Sequence, residues 1–508
     1  MKGAVSSGHP LTARAATEMF SAGGNAFDAA VAAGFASVVA EPSLTSLGGG
    51  GFMLAHIEGK EDILFDFFVN TPGLGNNKPS KSVMTPTDII FPQCTQVFHT
   101  GFGSAAVPGM LKGLLHIHKR LCTLPIRTIL SPALSYLEEG VKTIRPQDIF
   151  LGLLKPIFTS TDYGKEIHTI NGQYIKLHDR LFNPLLKDFY QGIADNRCDI
   201  YNGEIAEKLV EEMKRHNGIV TIEDLAAYEV IERKPLRVKY RDREILTNPP
   251  PASGGIMLAL SMHLLEHFDL SRHSRNSEEL LVTLIELMKK LQPSMILKNG
   301  SHITYPFLNE ITAPLIESFK KSVSEKTFIS TQGTTQISVI DEQGNAASMT
   351  TSNGSGSGCF IPGTGIMINN MMGEDDLHPD GFFSSPPNIR VSSMMTPTIT
   401  LKEGRASTVL GSGGSKRIRT AILQTLINII DFGHSLEDAI ESPRIHFEDG
   451  VVHAEPGIPA AAINKLSEHY KTHTWEKKNM YFGGVHCVNS KMEGWGDSRR
   501  GGSFNASE

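Results

Sequence analysis

The chain has 508 residues, of which 40% are hydrophobic and 20% are charged. This is ample material for a folded core and excludes a disordered protein, and at about 150 residues per domain it suggests about three domains or one large α/β unit. Lys and Arg total 48 against 54 Asp and Glu, a net charge of −6, which indicates neither a nucleic-acid partner nor an anionic membrane surface. Glycine stands out with 48 residues, and clustered glycines mark tight turns or close approach of the backbone to a ligand.

The cysteines and the apolar stretches bear on the compartment of the protein. The 5 cysteines are scattered and form no Cys-x-x-Cys pair, which argues against a disulfide framework or a thiolate zinc site. The N-terminus has no apolar segment of signal-peptide length, and the apolar stretch 29–40 is too short to span a bilayer. We therefore expect a cytoplasmic protein without a membrane partner, or a periplasmic or secreted one if this N-terminus is incomplete.

The first half of the chain is predicted to be mostly helical. Pro10 stands where a helix can begin, and the residues after it lead to a stop at Gly23-Gly24. A second helix is predicted over 26–39, where the many alanines require close packing. Apolar residues at helical spacing also follow Pro108 and run through 205–213.

After residue 333 the pattern changes to hairpins. Alternating polar and apolar residues predict a strand over 335–341, and the turn DEQGN allows 346–351 to pair with it. A second hairpin is predicted over 398–401 and 406–410, and it leads through GSGGS into an amphipathic helix. Hairpins packed with long helices indicate an α+β sandwich rather than a regularly alternating βαβ fold.

Three familiar motif classes receive no support. His263-Leu-Leu-Glu266-His267 matches the H-x-x-E-H zinc pattern, but it falls on an apolar helix without an identifiable partner acid, so an ordinary helix surface is favoured. The glycines of GSGGS do not give G-x-G-x-x-G, because Lys416 takes the place of the last glycine. There is also no G-x-S-x-G serine, so we do not expect an α/β-hydrolase. Because the zinc and nucleotide motifs receive no support either, we expect no metal and no cofactor.

Two segments carry the most chemical information. The amides of GSGGS (411–415) join a strand to a helix start and can form a phosphate cradle or an oxyanion hole, and a plain turn is equally compatible. In Gly333-Thr334-Thr335, a threonine hydroxyl needs an adjacent base, and a free α-amine on the same residue is one compact solution. That solution requires cleavage before the threonine, and a small glycine suits a cleavable bond. The same tripeptide by itself usually just begins a strand.

A series of ordered motifs gives these segments a common context: SSGHPLT, AGGNAFDAAVAA, EPSLTSLGGGGFML, GSAAVPGML, GIVTIEDLAAYEV, NPPPASGG, GTTQISVIDEQGN, IPGTGIMINNM, SSMMTPTI, LGSGGS, ESPRIH and GDSRRGG. Over nearly the whole chain they resemble the γ-glutamyltransferase (γ-glutamyltranspeptidase, glutathione hydrolase) family of N-terminal nucleophile hydrolases. The resemblance implies an α+β fold, a four-layer αββα sandwich. It also implies a precursor that splits into a large subunit, 1–333, and a small subunit, 334–508, which together form a heterodimer and one compact unit.

The resemblance also implies roles for individual residues. Thr334 matches the nucleophile that is released when the bond between Gly333 and Thr334 is cleaved, and its hydroxyl forms an acyl-enzyme with a small-molecule γ-glutamyl or related acyl donor. Water then gives hydrolysis, and an amino-acid or peptide amine gives transfer. The other implied site residues are Gly413 and Gly414 (oxyanion hole), Ser352 (orientation of the nucleophile), Asn353 (candidate substrate-binding asparagine), Ser392 and Ser393 (substrate carboxylate), and Glu374 or Asp375 (substrate α-amine).

The sequence departs from the family pattern at the position of Phe68. Members specific for γ-glutamyl groups carry there an arginine that pairs with the α-carboxylate of the donor. An apolar ring cannot replace a guanidinium. Either another cation, such as Arg390 or Lys416, supplies the contact, or the acyl donor is not glutathione-like. The other departures are Gln336 in place of a histidine, Ser498 in place of a proline, and a divergent helix pattern over 275–325.

Two classes of function remain open on the sequence. In the first, the protein is a self-processing amidohydrolase or acyltransferase, with γ-glutamyl amides as the leading donors and another acyl group as the alternative. In the second, it is an unprocessed, inactive relative that acts as a binding protein. Phe68 and the 275–325 region favour the second class. The GTTQ junction, GSGGS and the paired serines favour the first, and we predict an active enzyme.

Overall fold

Two antiparallel β-sheets lie face to face in the computed structural model of the protein, which describes residues 2–76, 82–90, 95–291, 333–378 and 381–508. The strands of the 7-stranded first sheet are, in spatial order, Ile231–Arg233, Ile63–Phe67, Gly50–His56, Ala346–Gly354, Gly333–Asp341, Gly3–Ser7 and Ser503–Ser507. Those of the 6-stranded second sheet are Leu236–Tyr240, Arg243–Thr247, Thr398–Lys402, Arg405–Gly413, Gly484–Asn489 and Gly494–Gly496.

The strand Gly333–Asp341, here called the threonine strand, lies near the middle of the first sheet. Its neighbours are Gly3–Ser7 and Ala346–Gly354, and the latter is here called the hydroxyl strand. Along the threonine strand, Ile337 packs in the apolar cluster on the helix side, whereas the hydroxyl of Ser338 donates to the carbonyl of His486 in the second sheet at 2.8 Å. Because side chains alternate along a strand, Thr334 falls on the same face as Ser338, between the sheets.

Helices cover the outer face of each sheet. Pro10–Ser21 and Ala26–Ala40 pack on the first sheet, and Ser253–Leu265 and Ile418–Ile430 pack on the second. Every residue of Ala26–Ala40 is buried, which explains its small side chains. The layers are therefore helix, sheet, sheet and helix, and the predicted αββα sandwich is confirmed. The remaining α-helices in the described residues are Met110–Leu121, Ile126–Glu139, Arg145–Leu153, Lys155–Phe158, Asp162–His168, Pro184–Ala194, Gly203–Arg215, Ile222–Ala227, Glu278–Lys290, Leu436–Glu441 and Ala460–His469.

Short strands outside the two sheets complete the secondary structure. They are Thr85–Ile90 with Thr95–Thr100, Val141–Lys142 with Arg180–Leu181, Thr169–Ile170 with Gln173–Tyr174, Phe360–Ile361 with Ile366–Met367, and Ile445–Glu448 with Val451–Ala454 and Lys471–Thr474. No helix in the described part of the chain combines the length and the apolar character needed to cross a membrane. The divergent pattern over 275–325 falls partly on the helix Glu278–Lys290, and residues 292–325 lie outside the described residues.

Candidate active site

A bulge between the threonine strand and the hydroxyl strand shapes the site. Thr334 alone lies opposite two residues, Ser352 and Asn353, because the pairing register shifts at this point. The Ser352 hydroxyl donates a hydrogen bond to the carbonyl oxygen of Gly333 and accepts one from the amide of Gly354 at 2.9 Å. The carbonyl that Ser352 contacts belongs to the Gly333–Thr334 bond. The bulge therefore places a hydroxyl on the bond that is predicted to be cleaved.

Gly333 is enclosed by backbone atoms. A Cβ at this position would lie 2.6 Å from the carbonyl oxygens of both Gly354 and Ser43. Two backbone oxygens at that separation leave no room for a side chain without movement of the chain. Steric crowding therefore explains why a glycine precedes the threonine.

The glycine turn that follows the strand Arg405–Gly413 packs directly against the threonine. A Cβ at Gly413 would lie 2.3 Å from the carbonyl oxygen of Thr334. Gly414 has a φ of 125°, in the left-handed region that favours glycine, and a Cβ there would lie 2.9 Å from the Cα of Gly483. The turn thus brings consecutive backbone amides next to the threonine, as an oxyanion hole requires.

Two buried oxygen acceptors, from Glu374 and Asn353, lie next to Gly354 in the hydroxyl strand. Glu374 is 4% exposed, and a Cβ on Gly354 would lie 2.4 Å from its Oε1. Within the described residues, this Oε1 and the Oδ1 of Asn353 have no hydrogen-bond partner. Burial, and then the neighbouring charges of Asp376 and Asp375, raise the pKa of Glu374 to about 8. A pair of unsatisfied acceptors, one of them a carboxyl, suits an ammonium group.

The structure separates the two acids that the sequence left as alternatives. Glu374 is buried beside Gly354, whereas Asp375 is exposed. Geometry therefore favours Glu374, which lies against Gly354, the strand partner of Gly333.

The serine pair lies beside the segment that contains Phe68, because the amide of Val391 donates to the carbonyl of Val69 at 3.1 Å. The Ser392 hydroxyl donates to the carbonyl of Pro251 at 2.8 Å. The Ser393 hydroxyl accepts from the amide of Met395 at 3.1 Å. These contacts order the serines next to the position of Phe68, and they run to neighbouring backbone rather than to the threonine.

Phe68 and the two candidate cations, Arg390 and Lys416, already contact other residues. The Phe68 ring is 1% exposed and stacks on Phe52 with ring centroids 5.4 Å apart. Arg390 pairs with Asp66 at 3.1 Å and donates to the Phe68 carbonyl. Lys416 pairs with two acids, with Nζ to carboxylate oxygen distances of 3.0 and 3.3 Å. Neither cation is in a position to take over the role of the missing arginine without giving up these partners.

Sequence reasoning missed a buried carboxyl next to the threonine. Glu41 ends the helix Ala26–Ala40 and accepts hydrogen bonds from the hydroxyls of Thr335, at 2.6 Å, and Thr12, at 2.8 Å. Burial raises the pKa of Glu41 to about 7. The signal in the sequence was an acid directly after an apolar helix, in the motif EPSLTS. The contact holds the residue that follows the candidate nucleophile.

Arg500, in the closing motif, was also missed and likewise contacts the glycine turn: a Cβ at Gly413 would lie 3.2 Å from its Nη1. By contrast, the acid of the H-x-x-E-H motif already has a hydrogen-bond partner. Glu266 accepts a hydrogen bond from the amide of Arg241 at 2.9 Å. No group of three or more His, Cys, Asp or Glu side chains that could hold a metal ion is found among the residues that the structure describes.

Comparison with known proteins decides the family. The sequence family described as Gamma-glutamyltranspeptidase matches residues 12–507. The chain belongs to the gamma-glutamyltranspeptidase family. The predicted family and the predicted class of enzyme are thereby confirmed.

Relatives of this gamma-glutamyltranspeptidase-family chain carry two kinds of name. The acylase ACY 1 proenzyme of Pseudomonas sp. strain SE83 is 30% identical over 496 residues, which cover 92% of this chain and 86% of that protein. The glutathione hydrolase proenzyme of Pseudomonas aeruginosa is 30% identical over 519 residues, which cover 96% and 90%. The crystal structure of a cephalosporin acylase from Bacillus halodurans has a TM-score of 0.84 over 100% of this chain and 96% of that chain. Its 23% identity shows a common fold.

Proposed function

We propose that the protein is a self-processing amidohydrolase and acyltransferase that cleaves γ-glutamyl amide bonds through an acyl-enzyme on Thr334. The observation that carries this proposal is the presence of three groups around the Gly333–Thr334 bond: the glycine turn at Gly413 against the Thr334 carbonyl, the Ser352 hydroxyl on the Gly333 carbonyl, and the buried carboxyl of Glu374 against Gly354, the strand partner of Gly333. Membership of the family and relatives named glutathione hydrolase proenzyme support it. No cofactor enters the proposed reaction.

Maturation is proposed to break the Gly333–Thr334 bond and to leave fragments 1–333 and 334–508 as a heterodimer. The first sheet supports this division because strands of both fragments are interleaved in it. The threonine strand lies between Gly3–Ser7 of the first fragment and the hydroxyl strand of the second. Cleavage therefore leaves two interlocked fragments that share a core, instead of two separate domains.

The catalytic steps follow from the position of the freed threonine. Its α-amine takes the hydroxyl proton while Oγ attacks the carbonyl carbon of the donor, and the amides of Gly413 and Gly414 stabilise the oxyanion. The C–N bond then breaks, the leaving nitrogen takes the proton, and an ester to Oγ remains. Attack by water releases the acid, and attack by an amino-acid or peptide amine transfers the acyl group.

The donor is proposed to lie with its α-ammonium against Glu374 and Asn353, whose unpartnered oxygens flank Gly354. Ser392 and Ser393 are proposed to contact its carboxylate. Asp375, which is exposed, is the weaker candidate for the ammonium.

A second candidate function is an acylase for a donor without the γ-glutamyl α-carboxylate. The observation that favours it is the buried, stacked ring of Phe68, with Arg390 and Lys416 both held by other acids. A relative named acylase ACY 1 proenzyme supports it. Hydrolysis of γ-glutamyl-4-nitroanilide, glutaryl-4-nitroanilide and acetyl-4-nitroanilide compared side by side distinguishes the two candidates.

Self-processing is tested on the purified protein. We expect two chains on a denaturing gel, with Thr334 as the first residue of the smaller one by N-terminal sequencing. Thr334→Ala is expected to give a single inactive chain, and Thr334→Ser a chain that still processes. A wild-type chain that stays intact after long incubation would refute the proposal and support the hypothesis of an inactive binding protein.

A further inference from the structure

Glu41 is a buried carboxyl beside the start of the threonine strand. It directly follows the fully buried helix that packs on the first sheet, and it is 1% exposed. The hydroxyls of Thr335 and Thr12 donate to its two oxygens at 2.6 and 2.8 Å. A Cβ at Gly8 would lie 2.3 Å from Oε2 of Glu41 and 2.7 Å from the hydroxyl oxygen of Thr335. The carboxyl is therefore enclosed on the helix side of the sheet, one residue away from Thr334.

Glu41 has hydrogen-bond donors around it but no counter-charge among the described residues. Burial, opposed only by the two threonine hydroxyls, raises its pKa to about 7. Of the groups on the elements packed around it, His9 is neutral at pH 7, because burial lowers its pKa to about 4. Gln147, which donates to the carbonyl that precedes Glu41, carries no charge. Arg14 and Glu18 lie at the surface of the adjacent helix and pair with each other at 2.9 Å. An ionised Glu41 in the uncut chain is thus a buried charge without a partner, which costs free energy.

Cleavage of the Gly333–Thr334 bond creates a new charge close to this carboxyl. The nitrogen of Thr334 becomes a primary α-amine, which is an ammonium group when it is protonated. One residue and one hydrogen bond, through Thr335, separate this nitrogen from Glu41, so the two groups lie within about 8 Å of each other. Opposite charges at this separation in a buried site stabilise each other. The mature enzyme therefore gains the counter-charge that the uncut chain lacks.

Two other charged groups face the released amine from the far side of the first sheet and from the hydroxyl strand. Arg500 lies against the glycine turn, where a Cβ at Gly413 would be 3.2 Å from its Nη1, and a cation there disfavours the ammonium form. Glu374 lies against Gly354, but its carboxyl is proposed to hold the ammonium group of the donor. In the described surroundings of the threonine, Glu41 is the buried acid that remains for the enzyme's own ammonium group.

We propose that Glu41 is a positioning residue that supplies the counter-charge for the α-ammonium group of Thr334 and so controls how readily this amine serves as the base. The proposal rests on the proposed function, since it requires cleavage before Thr334 and takes the freed amine as the base. When Oγ attacks the donor, the amine takes the hydroxyl proton and becomes an ammonium, and the proton later passes to the leaving nitrogen. A carboxylate close to the amine stabilises the ammonium that forms in this step.

Competitive acetylation tests the proposal, because it measures the pKa of the Thr334 α-amine without a donor. The mature protein is treated with a trace of acetic anhydride across a pH series, esters are removed with hydroxylamine, and the N-terminal peptide of the small fragment is quantified by mass spectrometry. In Glu41→Gln, which keeps a hydrogen-bonding side chain but loses the charge, we expect the pKa of the amine to fall by about 1. The acid limb of the kcat profile should move to lower pH by the same amount.

Asp341→Asn is the matched control. Asp341 is also a buried acid in the threonine strand, but it lies at the opposite end, eight residues from Gly333. Its substitution should change the pKa of the α-amine by less than about 0.3, even if it lowers stability. An unchanged pKa of the amine in Glu41→Gln would overturn the proposal whatever happens to activity, since a purely structural role alters activity without moving this pKa.

A second variant decides if Glu41→Gln does not mature. In Glu374→Gln, Glu41 is the buried acid left beside the threonine, so the pKa of the α-amine should lie above its ordinary range. A pKa within or below that range, as burial alone gives, overturns the proposal.

Failure of the proposed function is seen separately. A wild type that is cut before Thr334 but does not use γ-glutamyl anilides refutes the donor, and the acetylation still tests Glu41. A wild type that is never cut has no α-amine at Thr334 and refutes both proposals.

Discussion

Glu374 is expected to decide which donors the enzyme accepts, because its buried carboxyl must ionise before it can hold an α-ammonium group. Its pKa is raised from 4.5 to about 8 by burial and by Asp376 and Asp375. A shift of this size corresponds to about 5 kcal/mol for ionising the carboxyl in the empty site. About a tenth of the free enzyme then carries the charge at pH 7, and about three-quarters at pH 8.5. For a donor that needs this charge, kcat/KM rises about eightfold over that interval.

The assay compares γ-glutamyl-4-nitroanilide with glutaryl-4-nitroanilide, which lacks only the amino group. The ratio of their kcat/KM values cancels the titration of the threonine amine, which both donors share. In the wild type, once the rate on the γ-glutamyl donor is divided by the fraction of that donor whose α-amine is protonated, this ratio should rise about eightfold from pH 7 to 8.5. In Glu374→Gln, which cannot ionise, it should be flat and about ten- to a hundredfold lower at pH 8.5, because a hydrogen bond to a charged group contributes about 1.5–3 kcal/mol.

Two results would refute this reasoning. One is a flat wild-type ratio across the interval, and the other is a Glu374→Gln variant that keeps the rise. Asp375→Asn is the matched variant: it removes one of the charges that raise the pKa of Glu374, so it should weaken the rise with pH while the ratio at pH 8.5 stays at least as high as in the wild type. A ratio at pH 8.5 as low in Asp375→Asn as in Glu374→Gln would show that the neighbouring acid binds the ammonium.

Three further predictions concern maturation, stability and the donor. Gly333→Ala should slow self-cleavage at least about tenfold in a gel time course, because its Cβ would lie 2.6 Å from two carbonyl oxygens; processing at the wild-type rate would contradict this. For Glu41, a folded-state pKa of about 7 against 4.5 means that the folded chain binds the proton more tightly. Glu41 should therefore contribute a fall of about 3 kcal/mol in the unfolding free energy as pH rises from 4.5 to 8, and Glu41→Gln should reduce the measured fall by that amount in urea denaturation at the two pH values. Phe68→Arg should raise hydrolysis of γ-glutamyl-4-nitroanilide relative to 4-aminobutanoyl-4-nitroanilide, which lacks only the α-carboxylate, but lower the melting temperature, since it places a second guanidinium beside Arg390 in an apolar site. An unchanged donor ratio would refute the carboxylate argument for Phe68.

The sequence alone predicted the elements whose local patterns are strong. The hairpin over 335–351 could be predicted because a period of two is interrupted by one turn signal, and it is present as Gly333–Asp341 paired with Ala346–Gly354. The buried helix Ala26–Ala40 followed from its alanine run. The family and the αββα fold followed from many ordered motifs, which a single local pattern could not have supplied.

Only the tertiary structure could bring the charged groups of the site together. The choice between Glu374 and Asp375 depends on which side chain is buried against Gly354, and adjacent residues of one segment look equivalent in sequence. Arg499 and Arg500 are likewise neighbours in one motif, yet the first is paired with Glu455 while the second, next to Gly413, has two nitrogens without a hydrogen-bond partner among the described residues. The physical reason is that burial and counter-charges are set by residues far apart in the chain, whereas a sequence pattern reports only local periodicity.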